Sequence, residues 1–291
     1  MNTPEVGKGE HVQTRIRTEE EFMKSSAIIG LLQQLAPEEL ACSWDNVGLL
    51  CGRREKEVKR LLLCLDVTDE VVAYGVEKKV DMIVSHHPLL FRPINRLTEE
   101  TMIGRRLLKL AGADIAYYAM HTNFDCAEYG MAYAAAKKLE MTDLCVLDEP
   151  VTYVNPEGKT VIGGIGRIGI LPSPVTSEAL IALVKEQFSI DALAVYGLSQ
   201  GRQVQRIAIS PGSGKDQIEA ALQAGVDALI TGDISHHTGL DAMQQGLFLI
   251  DAGHYHVEHI FAAYVGDYLR ECLSDEMMIE TFSEECPYDI Y

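Results

Sequence analysis

What the chain lacks narrows it before any motif is read. Its seven cysteines include no Cys-x-x-Cys pair and their number is odd, which fits reduced thiols rather than a disulfide framework or zinc ribbon. No apolar run approaches the roughly 18 residues that a membrane span needs. The opening MNTPEVGKGEHVQTRIRTEEEF is polar and has no apolar centre, so it does not read as a signal peptide. Together these absences predict a cytoplasmic protein without a membrane partner. Positive charge is also scarce, with 25 Lys and Arg against 43 Asp and Glu and a formal charge of −18. Binding of nucleic acid or anionic lipid through bulk charge is excluded, because neutralising phosphates needs clustered cations. A small anionic ligand in a local site is not.

What is present suits a globular protein with a real core: 291 residues, 47% apolar and 23% charged. Residues 1–21 read as a flexible tail. Thr18 and Glu21 have capping-box spacing, expected to open a helix through FMKSSAIIGLLQQLAP. KRLLLCLDV, TDEVVAYGVEKK and VDMIVSHH then alternate strand, helix and strand. Their near-continuous apolar runs predict an α/β fold with sheets covered on both faces. A helix at TMIGRRLLKLAGA, a strand at DIAYYAMH and a helix over roughly residues 127–140 complete a first lobe, 22–147. The second lobe, 148–291, opens with a hairpin turning at Asn155–Gly158. It then repeats the first: VQRIAIS, GKDQIEAALQAG and VDALITGDISHH stand for the earlier strand, helix and strand. The recurrent Ser-His-His suggests an internal duplication.

Eight of the nine histidines fall in four clusters: His86 and His87; His121; His236 and His237; and His254, His256 and His259. Asp125 follows His121 by four residues and Glu258 follows His254 by four, a spacing that brings both side chains to one face of a helix. His87, His121, His237 and His254 lie at or just beyond predicted strand ends, the edge where open α/β sheets bind ligands. A single histidine at a strand end is ordinarily a hydrogen-bonded structural residue, but two adjacent ones with two His-x-x-x-acid pairs on one edge point to metal. Neighbours in extended backbone point to opposite sides, so His86 and His87 suit two ions rather than one, with Glu258 able to bridge them. The predicted ligands are His86, His87, Asp125, His254 and Glu258, and the mixed imidazole and carboxylate set suits Zn, Fe, Mn, Co or Ni. His121 and His237 stay open between ligand, proton relay and supporting partner. His236, His256 and His259 are expected to be structural or surface residues.

Two phosphate-loop look-alikes are set aside. Gly164, Gly166 and Gly169 spell G-x-G-x-x-G, but inside a predicted strand with no helix directly after. SPGSGKDQ, with Lys215, reads better as a strand-to-helix turn than as an anion loop, since Ile209 and Asp216 break the Walker pattern.

WDNVGLL, LDVT, SHHPLLF, HTNFD, GGIGRIG, TGDISHH and GHYHVE, in this order, resemble the Nif-three-like family, whose bacterial members are often labelled GTP cyclohydrolase 1 type 2 homologues. The resemblance covers roughly residues 22–265 and leaves out the acidic end SEECPYDIY. It implies two intertwined, duplicated α/β lobes with mixed sheets and a dinuclear metal site in the cleft between them. It also implies a homohexamer built as a trimer of dimers, and the short form without an inserted domain. Carried over, Glu258 would bridge both ions, with His87 and Asp125 on one and His86 and His254 on the other. DISHH departs from the family's single histidine at that motif. The expected activity is metal-dependent hydrolysis of a small nucleotide or heterocycle, in which His121 and Glu258 are the catalytic side chains and His121 relays protons. The label suggests opening of the GTP purine ring. Phosphoester hydrolysis and a non-enzymatic, metal-binding interaction protein are the alternatives.

Overall fold

Alternation of side chains decides how each sheet is covered. In the strand Arg60–Cys64, Leu61 and Leu63 face one side, Leu62 and Cys64 the other, and all four are fully buried. The computed structural model describes residues 23–155, 158–274 and 277–289, and Thr18 and Glu21 lie outside them. Within it, the first sheet has the order Met278–Thr281, Arg60–Cys64, Met82–Ser85, Ala116–Ala119 and Gly48–Cys51. All its pairings are parallel except the last. The second runs Thr142–Val154, Thr160–Thr176, Gln203–Ser213, Ala228–Gly232, Phe248–Asp251 and Ala194–Tyr196. Its central three strands are parallel and its flanks antiparallel.

The two sheets share one apolar core. Leu61, Leu63, Val84 and Tyr118 from the first meet helices Ser25–Leu35, Met131–Lys138 and Phe261–Cys272, and the cluster continues to Ile207, Ile209, Ile230 and Ile250 of the second. The outer faces have their own covers. Leu62, Ile83 and Tyr117 lie under helices Asp69–Glu77 and Met102–Gly112. Ala208, Leu229 and Leu249 lie under Ile218–Ala224 and His236–Gln244. Among the described residues no helix is long and apolar enough to cross a membrane.

Hydrogen bonds make the internal repeat explicit. Leu61, Leu62 and Leu63 pair with Met82, Ile83 and Val84, and 146 residues on, Ile207, Ala208 and Ile209 pair with Ala228, Leu229 and Ile230. Asp81 accepts from the backbone N–H groups of Lys59 and Arg60, just as Asp227 does from Gln205 and Arg206. Arg60 and Arg206 each donate to a carbonyl at the end of the intervening helix, those of Lys78 and Ala224. In this register Ser85, His86 and His87 fall on Thr231, Gly232 and Asp233. Ser235-His236-His237 is therefore not the counterpart expected from the sequence: it is a helix start, with Ser235 as the cap accepting from Thr238 N–H. Thirty residues separate Ser85 from Ala116 and sixteen separate Thr231 from Phe248, so the first copy carries fourteen more there. Beyond that point the copies match at 132 residues, Ala116–Ala119 against Phe248–Asp251.

The helix expected over 127–140 forms as Met131–Lys138, and a break separates it from a short helix before it, Thr122–Cys126. At the break the chain folds against itself: a Cβ on Gly130 would sit 1.7 Å from the Phe124 carbonyl oxygen. The Ala127 and Glu128 carbonyls turn instead to the buried guanidinium of Arg167, at 2.6 and 3.2 Å. Arg167 also donates to the Gly164 and Gly166 carbonyls, both at 2.8 Å, which ties the long hairpin strand Thr160–Thr176 to the short helix bearing Asp125. The G-x-G-x-x-G residues lie inside that strand. SPGSGKDQ runs from the strand end through a single 3-10 turn, Lys215–Gln217, into Ile218–Ala224. Replacing Arg167 with Met is expected to leave these buried carbonyls unpaired and to lower stability by about 3 kcal/mol or more, read as a reduced urea midpoint with an unchanged slope.

Candidate metal centre

His86 and His87 leave the end of the strand Met82–Ser85, and their rings diverge because their inner nitrogens are held by different partners. His86 is fully buried, and its Nδ1 donates to the Met120 carbonyl at 2.7 Å, which fixes Nε2 as the free nitrogen. That atom faces Asp125 Oδ1 at 3.7 Å and Glu258 Oε1 at 3.6 Å. His87 Nδ1 bonds Asp66 Oδ1 at 3.0 Å, turning its Nε2 toward Glu258 Oε2 at 3.1 Å and His254 Nε2 at 3.1 Å. His254 Nδ1 is held by Asp233 Oδ2 at 2.7 Å, and its Nε2 lies 2.9 Å from Glu258 Oε2. His121 Nδ1 lies 3.0 Å from both oxygens of Asp45.

The donor atoms gather into groups that could hold a metal: His86, Asp125 and Glu258; His87, His254 and Glu258; and His86, His87 and His121. Glu258 belongs to the first two. These groups place Asp125 with His86 and His254 with His87, whereas the resemblance implied His87 with Asp125 and His86 with His254. The cause is the pair of Nδ1 anchors, which aim the two neighbouring rings to opposite sides of Glu258. His236 and His237 are exposed on their helix and outside these groups, and the half-buried His256 and His259 also lie outside them. His259 Nδ1 bonds the His256 carbonyl at 2.6 Å.

The buried atoms fit a cation. His86 Nε2 and Glu258 Oε2 have no hydrogen-bond partner among the described residues, because the short approaches of His87 and His254 to Glu258 Oε2 are not aligned as hydrogen bonds. Orphaned buried acceptors are costly, and here they converge with imidazole lone pairs in a nitrogen and oxygen set suited to divalent transition metals. Space is also reserved. Gly212 has φ +73°, and a Cβ there would stand 2.5 Å from Glu258 Oε1. The turn SPGSGKDQ thus serves the site through a missing side chain rather than through Lys215.

Three aspartates escaped the sequence reading: Asp45, Asp66 and Asp233. Each orients one imidazole, as carboxylates behind metal-binding histidines do. Their sequence signal is weak, since WDN, LDV and TGD show a carboxylate near a strand end and nothing of its partner. Asp66 is supported in turn by the acidic C-terminal stretch. Glu284 Oε1 accepts from the Leu65 and Asp66 N–H groups at 2.7 and 3.0 Å, and Tyr255 Oη donates to the Glu284 carbonyl.

The sequence profile of Duf34/NIF3 (NGG1p interacting factor 3) matches residues 23–287. The chain belongs to the Duf34/NIF3 family. The match takes in most of the acidic C-terminal stretch, further than the sequence resemblance reached. A Lactococcus lactis relative named GTP cyclohydrolase 1 type 2 homolog is 36% identical over 271 residues, 92% of this chain and 100% of the relative. One of the same name from Clostridium perfringens is 33% identical over 255 residues, 88% and 94% of the two chains. A Listeria innocua relative aligns over 340 positions that take in only 83% of this chain, so it carries an insertion absent here. Among solved structures, a Staphylococcus aureus hypothetical protein superposes with a TM-score of 0.81 at 29% identity, covering 92% of this chain and 99% of its own. A Bacillus cereus protein related to NIF3 gives 0.82 at 23% identity, with the same coverage, and shows the fold alone.

Charge around the site follows from crowding. Burial opposes the charged form of Glu258, but the imidazoles of His86, His254 and His87 around it hold its carboxyl well below the ordinary range. Asp125 is raised, chiefly by burial, which His86 and His121 only partly offset. Burial would lower His87, yet Asp66 and Glu258 outweigh it and push the ring up to about 10. His254 is likewise opposed by burial and raised by Glu258 and Asp233, to about 9, with His87 as a counterweight. Asp45 resists its burial through His121 and Thr122 and falls to about 2. A histidine raised from 6.5 stabilises the fold fully below that pH and loses the contribution as pH rises through its folded value. Metal-free protein is therefore expected to lose thermal stability between about pH 7 and 10, as His87 and His254 give up their protons. Zinc should raise the unfolding temperature more at pH 9 than at pH 6, because fewer protons then have to leave the ligand nitrogens for the ion to bind.

Proposed function

We propose that this protein is a hydrolase of a small nucleotide or related heterocycle, dependent on two divalent ions. Glu258, facing His86 and Asp125 on one side and His87 and His254 on the other, is the observation that carries the reading. His86, Asp125 and Glu258 would hold one ion and His87, His254 and Glu258 the second, from among Zn, Fe, Mn, Co and Ni. When bound, such a pair supplies Lewis acidity and lowers the pKa of coordinated water. The chain's own contribution is order. Asp66 and Asp233 fix the tautomers of His87 and His254, and the Met120 carbonyl fixes that of His86. His121, its Nδ1 bound to Asp45, keeps its other nitrogen for a proton in transit between water and substrate. The burial of His86 and Glu258 keeps bulk water from those groups.

The substrate class draws on the relatives' name, GTP cyclohydrolase 1 type 2 homolog, which points to attack on a purine ring. Zinc- or manganese-loaded protein incubated with GTP is expected to release formate and a ring-opened product. Release of phosphate alone would redirect the reading to phosphoester hydrolysis. No turnover across the five metals and a nucleotide panel would leave a metal-binding interaction protein, the role suggested by the family's description. His86→Ala is expected to lose about one metal equivalent and Glu258→Ala close to both, by elemental analysis of the purified chains. A homohexamer, a trimer of dimers, is part of the proposal and rests on the sequence resemblance. Its native mass by light scattering should be six times the chain's 32.1 kDa.

A further inference from the structure

Trp44 is the only tryptophan of the chain, and it is 60% exposed. Its backbone is not free to wander. The next residue, Asp45, accepts from Thr122 N–H and Thr122 Oγ1 as well as pairing with His121, and Asn46 Nδ2 donates to the Leu90 carbonyl. That bond joins the Trp44 loop to the loop of Phe91, itself 42% exposed. The two rings meet edge to face, with centroids 5.9 Å apart. Both also stand edge-on to His121, at 6.2 and 6.3 Å, and the His121 ring lies 5.2 and 5.6 Å from those of His86 and His87. A fixed aromatic pair thus continues the imidazole cluster outward by one ring.

Two further observations say what this pair is for. Phe91 lies in the stretch between Ser85 and Ala116 that is fourteen residues longer than its counterpart in the second copy, so this half of the pair comes from where the repeat departs from itself. The same stretch carries Arg92 and Arg96, both exposed. Neither forms an ion pair among the described residues. On a chain with a net charge of −18, exposed arginines one and five residues after Phe91 in the sequence favour a ligand that joins a flat ring to an anionic group.

We propose that Trp44 and Phe91 form a stacking platform for the unsaturated ring of the substrate, and that Arg92 and Arg96 receive its phosphate. The assignment rests on the hydrolase reading and adds to it the subsite that selects the substrate. A ring held there lies one imidazole away from the metal-binding cluster, with His121 between them. A nucleotide has both required parts, whereas a sugar phosphate has only one.

The single tryptophan supplies the measurement. Zinc-loaded full-length protein is titrated with GTP, guanosine, ribose 5-phosphate and inorganic phosphate while its fluorescence is followed. GTP should quench saturably, guanosine more weakly, and the two ring-free probes little. By calorimetry, Trp44→Ala and Phe91→Ala should each weaken GTP binding about tenfold or more. The double variant Arg92→Ala/Arg96→Ala should weaken GTP but not guanosine. Equal quenching by ribose 5-phosphate and GTP, or unchanged affinity in the aromatic variants, would overturn the platform. So would a Trp44→Ala variant that changes native mass instead of ligand affinity, since the rings would then pack against a second copy of the chain. Elemental analysis of each variant keeps the two readings apart. Ring-selective binding without turnover would sink the hydrolase reading and leave the platform. Turnover indifferent to Trp44 and Phe91 would do the reverse.

Discussion

Glu258 is a buried carboxylate that its own chain leaves incompletely satisfied. Three imidazole nitrogens lie 2.9 to 3.6 Å from its oxygens, yet one of those oxygens has no aligned donor among the described residues. A fold that needed only its own stability would have paired this group or replaced it with an apolar side chain. Everything nearby instead accommodates it. Gly212 gives up its side chain, the Nδ1 anchors turn the rings inward, and the two sheets meet so that acid and histidines from both lobes can face one another. Positive charge, whether protons on His87 and His254 or a bound cation, is what the arrangement requires.

The fold class was legible in the sequence because its strands are buried on both faces and therefore read as unbroken apolar runs. The side chains that gather around Glu258 were legible because His-x-x-x-acid spacing survives translation into a helix turn. What the sequence hid is everything that depends on partners far along the chain. Asp45, Asp66 and Asp233 bond rings 76, 21 and 21 residues away, and no local pattern marks them. The division of the ligands about Glu258 was hidden too, since it follows from which atom holds each Nδ1. Helix boundaries near residue 127 depended on Arg167, another distant partner.

The repeat shows how local likeness can mislead. Ser-His-His occurs twice, and the two occurrences are unrelated in structure. The true counterpart of His87 is Asp233, which stands behind His254 as Asp66 stands behind His87. His121-x-x-x-Asp125 and His254-x-x-x-Glu258 are likewise out of step by one residue, with His254 matching Thr122. The second copy therefore contributes through its own choice of positions on an equivalent scaffold. Two equivalent strand ends facing one another offer a cleft, and side chains at non-equivalent positions fill it.

The strand Met278–Thr281 is the edge of the first sheet, hydrogen-bonded to Arg60–Cys64, and Glu284 immediately after it holds the Leu65–Asp66 backbone. During synthesis this has a consequence of timing. The strands Arg60–Cys64 to Ala116–Ala119 leave the ribosome early, but their sheet stays open at one edge until Met278–Thr281 has emerged. The support behind His87 arrives only once Glu284 has been made. Chains cut before Met278 therefore lack both the edge strand and the backbone support behind His87.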